Sequence, residues 1–391
     1  MRPRRFLVPL LLPSIVVGQL IVVDPNGTGP YTDLQTAIDA APSGATIHVV
    51  GGSWEAITVT RSLTIVAEPL ATVAQSLGPW SGAQPPAIEL QGTGSETFTL
   101  VNVRIHSSAG CLASAAGSGV DSSGFAQIHV FDSSVSGAVW TCVTGDVRGA
   151  RGIRAQGANL VPVERSTVRA SPGVPDTQWF FGIDGVPGID APTATVVVTH
   201  STVVGGGCEP SNWLSPGPAP GPVPCPCTGP QGGSGTGGPG ILAAALIEAN
   251  AVIQGGYGCQ VTWMGQPWGH QPDGPRTVVG SETMLPVTMI QAMPFRLGST
   301  GQVAFPPTQA PSLLAIGGPS FLPEMVGGVA EVFVDPGQPL AVQFLGTGAT
   351  GFSTPVPTWA DLIGVKLVHQ RFDLMSGAIV PSNPVIGVVM P

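Results

Sequence analysis

A six-residue phrase recurs five times in this chain, and its recurrence is the strongest constraint on the fold. In each copy, the first and last residues are apolar and four residues lie between them. The copies read LVNVRI (100–105), VFDSSV (130–135), VERSTV (163–168), VTHSTV (198–203) and IEANAV (247–252). Four copies carry a small polar residue at the fourth position, namely Ser133, Ser166, Ser201 and Asn250. Such residues bond local backbone and tolerate unusual φ values, so each copy predicts a strand, a bend and a second strand.

The spacing of the copies predicts how the strands are arranged. The copies begin 30, 33, 35 and 49 residues apart. A strand–bend–strand unit that repeats with growing insertions is typical of a solenoid. Stacked coils of short parallel strands place like residues above like residues, which buries the valines in columns. We therefore predict an all-β solenoid over residues 19–285.

A short helix is predicted to cover the open end of this solenoid. The segment YTDLQTAIDAAPSGATIHVV (31–50) contains Thr32 and Gln35 at capping-box spacing, and Pro42 is predicted to end the helix. One helical face is apolar and comprises Leu34, Ala37, Ile38 and Ala41. Because a solenoid otherwise exposes its first coil, this helix is expected to be its N-terminal cap.

Residues 22–68 resemble the opening of pectin methylesterases and related members of the pectin lyase-like superfamily. The resemblance lies in the DPNGTGPY lead, the LQTAIDAAP helix and the GGSWE turn. In the turn, Trp54 stands where that family usually has Tyr, and Glu55 follows one position early. The coil phrases fit the superfamily loosely to about residue 260. The resemblance implies a right-handed parallel β-helix. It indicates the fold and not the activity, because proteins of this superfamily share the fold but differ in activity.

The catalytic motifs of pectin methylesterases are not matched. The nearest segments are QWFFG (178–182) and GQPWG (265–269), where Gln178 and Gln266 stand in place of the required Asp and Arg. Glutamine supplies neither a carboxylate nucleophile nor a guanidinium group. The sequence therefore predicts that the chain is not a pectin methylesterase.

The charge balance and the N-terminal segment indicate an exported protein. Residues 1–18 carry three arginines before an apolar run and end in small residues, which is typical of a signal peptide. Removing them changes the formal net charge from −9 to −12, which argues against nucleic acid as a partner. Pro9 and Pro13 interrupt the run, and no later apolar segment is long enough to span a membrane. We expect a secreted, extracellular or cell-envelope location, with the oligomeric state left open.

The six cysteines are predicted to form disulfides, with the pairing left open. They are Cys111, Cys142, Cys208, Cys225, Cys227 and Cys259. A metal site beginning at Cys225 and Cys227 is the alternative, but no partner stands at ligand spacing. No cofactor is predicted. Calcium, which lyases of the superfamily usually need, has no acidic cluster here to support it.

The acidic residues give only weak candidates for catalysis. They are Asp132, Asp146, Asp176 and Asp184, which are scattered along the chain. Asp132, Arg165 and His200 share one position in successive phrases and are expected to stack. Such a stack holds an acid, a base and an imidazole and could be catalytic, but alternating charge on a solvated face is the simpler explanation. The enzyme hypothesis depends on these aspartates lying within a few ångströms of one another.

Two predicted loops contain the candidate ligand-binding residues. The segment 145–156 contains Arg148, Arg151 and Arg154, and the segment 171–190 contains Trp179. Arginines clamp carboxylates and aromatic faces stack on sugar rings, so these residues favour an acidic glycan, as a polysaccharide or a cell-envelope glycan, as ligand. For Trp179, anchoring of the loop to the coil is an equal alternative.

Two further regions complete the predicted organisation. Residues 212–240 are rich in Pro and Gly and are predicted to be a solvent-exposed insertion in the β-helix. Residues 286–391 are predicted to form a small β-sandwich, similar to C-terminal modules of exported bacterial repeat proteins. The favoured hypothesis is a non-catalytic protein that binds carbohydrate or forms part of the envelope surface. The alternative is a polysaccharide lyase, esterase or hydrolase with its site under the 145–190 loops.

Overall fold

The computed structural model describes most of the chain. The described residues are 19–27, 29–74, 85–109, 117–140, 149–171, 185–207, 236–258, 260–263, 266–270, 273–285, 289–326, 330–375 and 378–391. The chain divides into two compact units, a first of Gln19–Met284 and a second that contains Leu285–Pro391.

The described residues of the first unit form one α-helix and a large parallel sheet. The helix, α1, is Leu34–Ala40. The strands of this sheet are β1 (Leu20–Val23), β2 (Ala45–Val49), β3 (Ser53–Trp54), β4 (Ile57–Val59), β5 (Leu63–Ala74), β6 (Ile88–Gln91), β7 (Thr97–Ala109), β8 (Val120–Ser123), β9 (Gln127–Phe131), β10 (Ser134–Trp140), β11 (Ile153–Gln156), β12 (Leu160–Glu164), β13 (Thr167–Arg169), β14 (Ile189–Thr199), β15 (Thr202–Val204), β16 (Ile241–Ala249), β17 (Val252–Gln254) and β20 (Thr277–Met284). Between them, β18 (Gln260–Trp263) and β19 (Gln266–His270) form a separate antiparallel pair.

The strands of the large sheet pair in three parallel ladders, which confirms the predicted parallel pairing. The first ladder joins β4, β6, β8, β11 and the beginnings of β14, β16 and β20. The second joins β1, β2, the beginnings of β5 and β7, then β9, β12 and the ends of β14, β16 and β20. The third joins β3, the ends of β5 and β7, then β10, β13, β15 and β17.

Inward side chains of the three ladders share one hydrophobic core. In the third ladder, Ile105, Val135, Val168 and Val203 are aligned by register and buried. Removing such columns from water is the main stabilising contribution to the first unit. The predicted valine columns are therefore confirmed.

The helix α1 forms as predicted, but its N-cap is different. Leu34, Ala37 and Ile38 are buried, as the apolar face predicts. The N-cap is Asp33, whose carboxylate accepts from the Thr36 hydroxyl and from the Thr36 backbone N–H, each at 2.7 Å. These bonds, the hydroxyl first, lower the pKa of Asp33. The predicted Thr32–Gln35 capping box is wrong.

The bend between the second and third ladders places a positive φ at the third position of the phrase. Four residues at that position take φ values of 47° to 56°, namely Asn102, Asp132, Arg165 and His200, and in the fifth copy the positive φ of 50° falls on Asn250, at the fourth position. We call this set the bend column. The unusual φ predicted at the fourth position is therefore wrong for Ser133, Ser166 and Ser201, and it is present at Asn250. In the fifth copy the stacking is also shifted by one residue, because Val198 aligns with Glu248 rather than with Ile247.

The fourth-position serines instead bond one copy of the phrase to the next. Ser133 Oγ accepts from the backbone of Val103 at 3.1 Å, and Ser166 Oγ accepts from that of Ser133 at 3.0 Å. Ser201 Oγ accepts from the backbone of Ser166 at 3.0 Å. All three serines are buried, so their hydroxyls satisfy amide groups that water does not reach. We call these three residues the serine column.

The end of the Pro/Gly-rich insertion belongs to the stack and is not solvent-exposed as predicted. Backbone bonds join Gly274 to Gly256, Gly256 to Gly238 and Gly238 to Gly206, at 2.8, 2.8 and 2.7 Å. A Cβ on Gly256 would lie 2.1 Å from the carbonyl oxygen of Gly206. Only glycine permits backbones to approach this closely, which explains the glycine at these positions.

The second unit consists of two antiparallel sheets. One contains β21 (Ile290–Met293), β22 (Thr300–Ala304) and β25 (Gly351–Pro355). The other contains β23 (Ser312–Val326), β24 (Ala330–Leu345), β26 (Lys366–Met375), β27 (Ala378–Pro381) and β28 (Val385–Val388). A 3-10 helix covers Ala360–Leu362. Residues from both sheets, among them Val303 and Leu314, form one buried cluster with Phe295.

Candidate functional site

The bend column brings a predicted candidate, Asp132, against Arg165. Arg165 donates from Nε and Nη2 to the two carboxylate oxygens of Asp132, at 2.7 and 2.9 Å. Arg165 also forms an ion pair with Glu164, whose side chain is 1% exposed. Burial opposes the charge of Arg165, but the two carboxylates outweigh it and raise the pKa of Arg165. The predicted stacking of Asp132 and Arg165 is therefore present, and the arginine serves to neutralise two acids.

A second polar group lies on the outer side of the first ladder. The strands β6, β8 and β11 each alternate buried and outward residues, because each contributes one face to the core. Their outward residues, together with that of β14, are Glu89, Gln91, Asp121, Ser123, Arg154, Gln156 and Asp190. We call this set the Asp–Arg face.

Register places an acid beside a base along this face. Glu89 aligns with Asp121, Asp121 with Arg154, and Arg154 with Asp190. Arg154 Nη1 donates to Asp121 Oδ2 at 3.2 Å, and both side chains are about one-third exposed, at 37% and 27%. Arg151 forms an ion pair with Asp190, which is nearly buried. Two of the predicted ligand-binding arginines thus contact carboxylates of this chain.

Amide side chains extend the network on the Asp–Arg face. Gln91 Nε2 donates to Glu89 Oε1 at 2.9 Å. In its hydrogen-bonding orientation, the Gln156 amide oxygen accepts from Arg154 Nε and Nη2 at 3.2 and 2.9 Å. Three carboxylates and two guanidinium groups give this surface nearly balanced charge. Chemically it presents hydrogen-bond donors and acceptors on planar side chains.

The site residues predicted from the sequence include Arg151 and Arg154 but none of Glu89, Gln91, Asp121, Gln156 and Asp190. The signal that identifies these residues is a second repeat, in IELQ (88–91), VDSS (120–123) and IRAQ (153–156). Each copy begins with an apolar residue, carries polar residues at its second and fourth positions, and starts 32 or 33 residues after the previous copy. That period matches the bend phrases, so it indicates polar columns on the same stack.

Several predicted residues lie outside the described part of the chain. These are Asp146, Asp176, Asp184, Arg148, Trp179 and the six cysteines, together with the segment 1–18 and most of 212–240. Their roles stay predictions. Of the aspartates predicted as catalytic candidates, Asp132 alone is described, and it lies in the bend column rather than on the Asp–Arg face.

The described residues contain neither a cluster of metal ligands nor a helix that could span a membrane. No group of three or more His, Cys, Asp or Glu side chains among them is arranged to hold a metal ion. None of the helices described is both long and apolar enough to span a bilayer.

The comparisons with known proteins identify no relative. No protein-family model, no curated protein and no solved structure matches this chain. The similarity to the pectin lyase-like superfamily therefore rests on the sequence motifs alone.

Proposed function

We propose that the first unit is a right-handed parallel β-helix and that the protein is an exported, non-catalytic glycan-binding protein. The succession of strands supports the β-helix, because β8, β9 and β10 belong to the first, second and third ladders and β11, β12 and β13 repeat that order. Crossovers between parallel strands of a sheet are right-handed in almost all proteins, which gives the handedness. Export rests on the signal-peptide pattern of residues 1–18.

The Asp–Arg face is proposed as the glycan-binding surface. The observation that carries this proposal is the aligned run of Glu89, Asp121 and Arg154, which are partly exposed and lie beside the nearly buried Asp190, with Arg154 and Asp121 oriented by their ion pair. Sugar hydroxyls both donate and accept hydrogen bonds, so they suit a surface that offers both. A preoriented polar network also loses little entropy when a ligand binds.

The charge balance of the face selects the kind of glycan. Because Arg154 and Arg151 already contact Asp121 and Asp190, an acidic sugar would have to compete with carboxylates of the chain. A neutral glycan meets no such competition. The ligand proposed for this face is therefore a neutral, hydroxyl-rich polysaccharide rather than a uronate polymer.

Binding to a neutral-glycan array, followed by titration calorimetry with the best ligand, tests this proposal. Asp121→Asn and Gln156→Ala are expected to weaken binding about tenfold each, as the loss of one oriented hydrogen bond predicts. Gln343→Ala, at an exposed glutamine of the second unit, is the matched control and is expected to leave binding unchanged.

Two results would overturn this proposal. Equal binding by all three variants would show that the ligand lies elsewhere. Release of unsaturated or shortened products from the bound polysaccharide would replace the binding function with the carbohydrate-active enzyme predicted as the alternative.

A further inference from the structure

Strand β24 lies at one edge of the larger sheet of the second unit, which runs in the order β24, β23, β26 and β27. Residues 341–345 of this strand form five consecutive antiparallel pairs with β23, from Ala341 with Ile316 to Leu345 with Ser312, without a register shift. On their other side, no strand in the described part of the chain pairs with them. We call residues 341–345 the β24 edge. An edge of this kind presents backbone N–H and C=O groups that can pair with another strand.

Two large apolar side chains of the β24 edge are exposed to solvent. Val342 is 64% exposed and Phe344 is 63% exposed. The two residues are two positions apart, so they lie on the same face of the sheet. Proteins usually protect an edge strand with charged residues, proline or a β-bulge, and the β24 edge contains none of these. An open backbone edge with exposed apolar side chains indicates a surface to which another strand can be added.

The other described edge strands of the second unit carry more protection. β21 has a register shift between Gln291 and Met293, as in a β-bulge. β25 and β27 end in Pro355 and Pro381, which have no N–H to donate, and β28 is buried over its whole length. In β24 the last proline is Pro339, so the β24 edge follows it without a further interruption. The β24 edge is therefore the part of the second unit best suited to strand addition.

The sequence of the β24 edge is complementary to itself. When two copies pair in antiparallel orientation about Gln343, that residue lies opposite Gln343 of the second copy, and Val342 lies opposite Phe344 of the second copy. A glutamine amide contains both donors and an acceptor, so two exposed glutamines can bond to each other. Aromatic and β-branched residues at opposed positions stabilise a sheet. This pairing has a two-fold axis, so it closes at a dimer.

The β24 edge also avoids the charge repulsion that keeps copies of this protein apart. The full chain has a formal net charge of −9, so two copies repel each other at long range. No charged residue occurs between Asp335 and Asp361 in the sequence. Two copies that meet at the β24 edge therefore bring no carboxylates into opposed positions. A charged partner strand would find no residue of opposite sign within this edge.

We propose that two copies of the protein form a dimer by antiparallel pairing of their β24 edges, which joins the two sheets into one. Five residues on each copy are few compared with about 20–30 on each side of a stable interface. The dimer is therefore expected to be weak and to depend on protein concentration. This proposal concerns a surface of the second unit and does not depend on the glycan-binding function proposed above.

Sedimentation velocity of the full chain over a wide range of concentrations tests the proposal, and we expect monomers to convert into dimers as the concentration rises. Gln343→Glu and Gln343→Lys are each expected to raise the dissociation constant at least about tenfold, because like charges then face each other at the two-fold axis. An equimolar mixture of these two variants should restore the dimer, since opposite charges then face each other. Gln343→Ala introduces no charge and is expected to keep the dimer.

A matched control separates local pairing from overall charge. Gln309→Glu makes the same charge change at an exposed glutamine in a loop of the second unit and is expected to leave dimerisation unchanged. Far-UV circular dichroism verifies that each variant folds. A wild-type chain that stays monomeric at all concentrations would assign the β24 edge to a different partner and overturn the proposal. Equal dimerisation of the wild type and Gln343→Glu would overturn it too, as would assemblies that grow beyond the dimer.

Discussion

Arg165 and Asp132 are neighbours in the bend column, and Arg165 donates hydrogen bonds to both carboxylate oxygens of Asp132, at 2.7 and 2.9 Å. Both residues hold positive φ values, which cost free energy in residues other than glycine. The ion pair thus joins two strained bends of successive coils. Glu164, next to Arg165 in the chain, is buried and shares the same guanidinium group.

We predict that Arg165→Ala lowers the free energy of unfolding by about 3 kcal/mol. The substitution leaves the nearly inaccessible carboxylate of Glu164 without the arginine that compensates its charge. Chemical denaturation of the full chain measures the effect. Asp132→Asn is the comparison, because Asp132 is 38% exposed, and its loss should cost less than about 1 kcal/mol. Similar effects of the two substitutions would show that Glu164 does not depend on Arg165.

Repetition in the sequence was sufficient to predict the parallel stack and its valine columns. Columns such as Val135, Val168 and Val203 are predictable because stacked coils place identical inward positions above one another. The register of the fifth copy was not predictable from its first apolar residue. Asn250 takes the positive φ, and Glu248 consequently occupies an inward position that is apolar in the preceding coil.

The charge pairs of the candidate site could not be predicted from the sequence either. Arg154 contacts Asp121 across 33 residues, so the pairing depends on the exact number of residues in one coil. Glu248 can occupy an inward position because its carboxylate forms an ion pair with Arg276. Burial nevertheless raises the pKa of Glu248. Neither contact follows from local composition, since both depend on the register of neighbouring coils.

The serine column yields a second prediction. Ser166→Ala removes a hydroxyl that accepts from the backbone of Ser133 and donates to the carbonyl of Glu164 at 2.8 Å. Because these groups are buried, the free energy of unfolding should fall by about 1–3 kcal/mol. Ser123→Ala, at an exposed serine of β8, is the control and should change it by less than about 0.5 kcal/mol. Thermal unfolding of both variants provides the comparison, and equal midpoints would refute a stabilising role for the column.

A third prediction concerns the close approach of coils at Gly152. A Cβ at this position would lie 2.6 Å from Val168 Cγ1 and 2.9 Å from the carbonyl oxygen of Arg169. Gly152→Ala is therefore expected to destabilise the first unit by about 1–3 kcal/mol through overpacking. A Cβ at Gly346 would meet no atom within 4 Å, so Gly346→Ala should be neutral or slightly stabilising. Urea titrations of the two variants decide between steric conflict and a general effect of losing glycine.

The last prediction is a loss of stability in acid that originates at His369. The ring is fully buried in the second unit, stacks on Phe295 at 5.0 Å between centroids and contacts Thr354 Oγ1 through Nε2 at 3.0 Å. Burial lowers the pKa of His369 from 6.5 to about 4. Between these values the unfolded chain binds the additional proton, so the stability contributed by neutral His369 is complete above pH 6.5 and declines as the pH falls towards 4.

The size of this effect is up to about 3 kcal/mol over the full window. His369→Gln retains a polar group facing Thr354 but does not titrate, so the difference in unfolding free energy between the wild type and this variant should shrink as the pH is lowered from 7 to 4. Other groups that titrate in the window act on both proteins and cancel in the difference. Chemical denaturation at several pH values, monitored by far-UV circular dichroism, measures this difference in unfolding free energy. A difference that stays constant across the range would mean that His369 is protonated equally easily in the folded and unfolded chain, and burial of its ring would then have no part in the acid sensitivity.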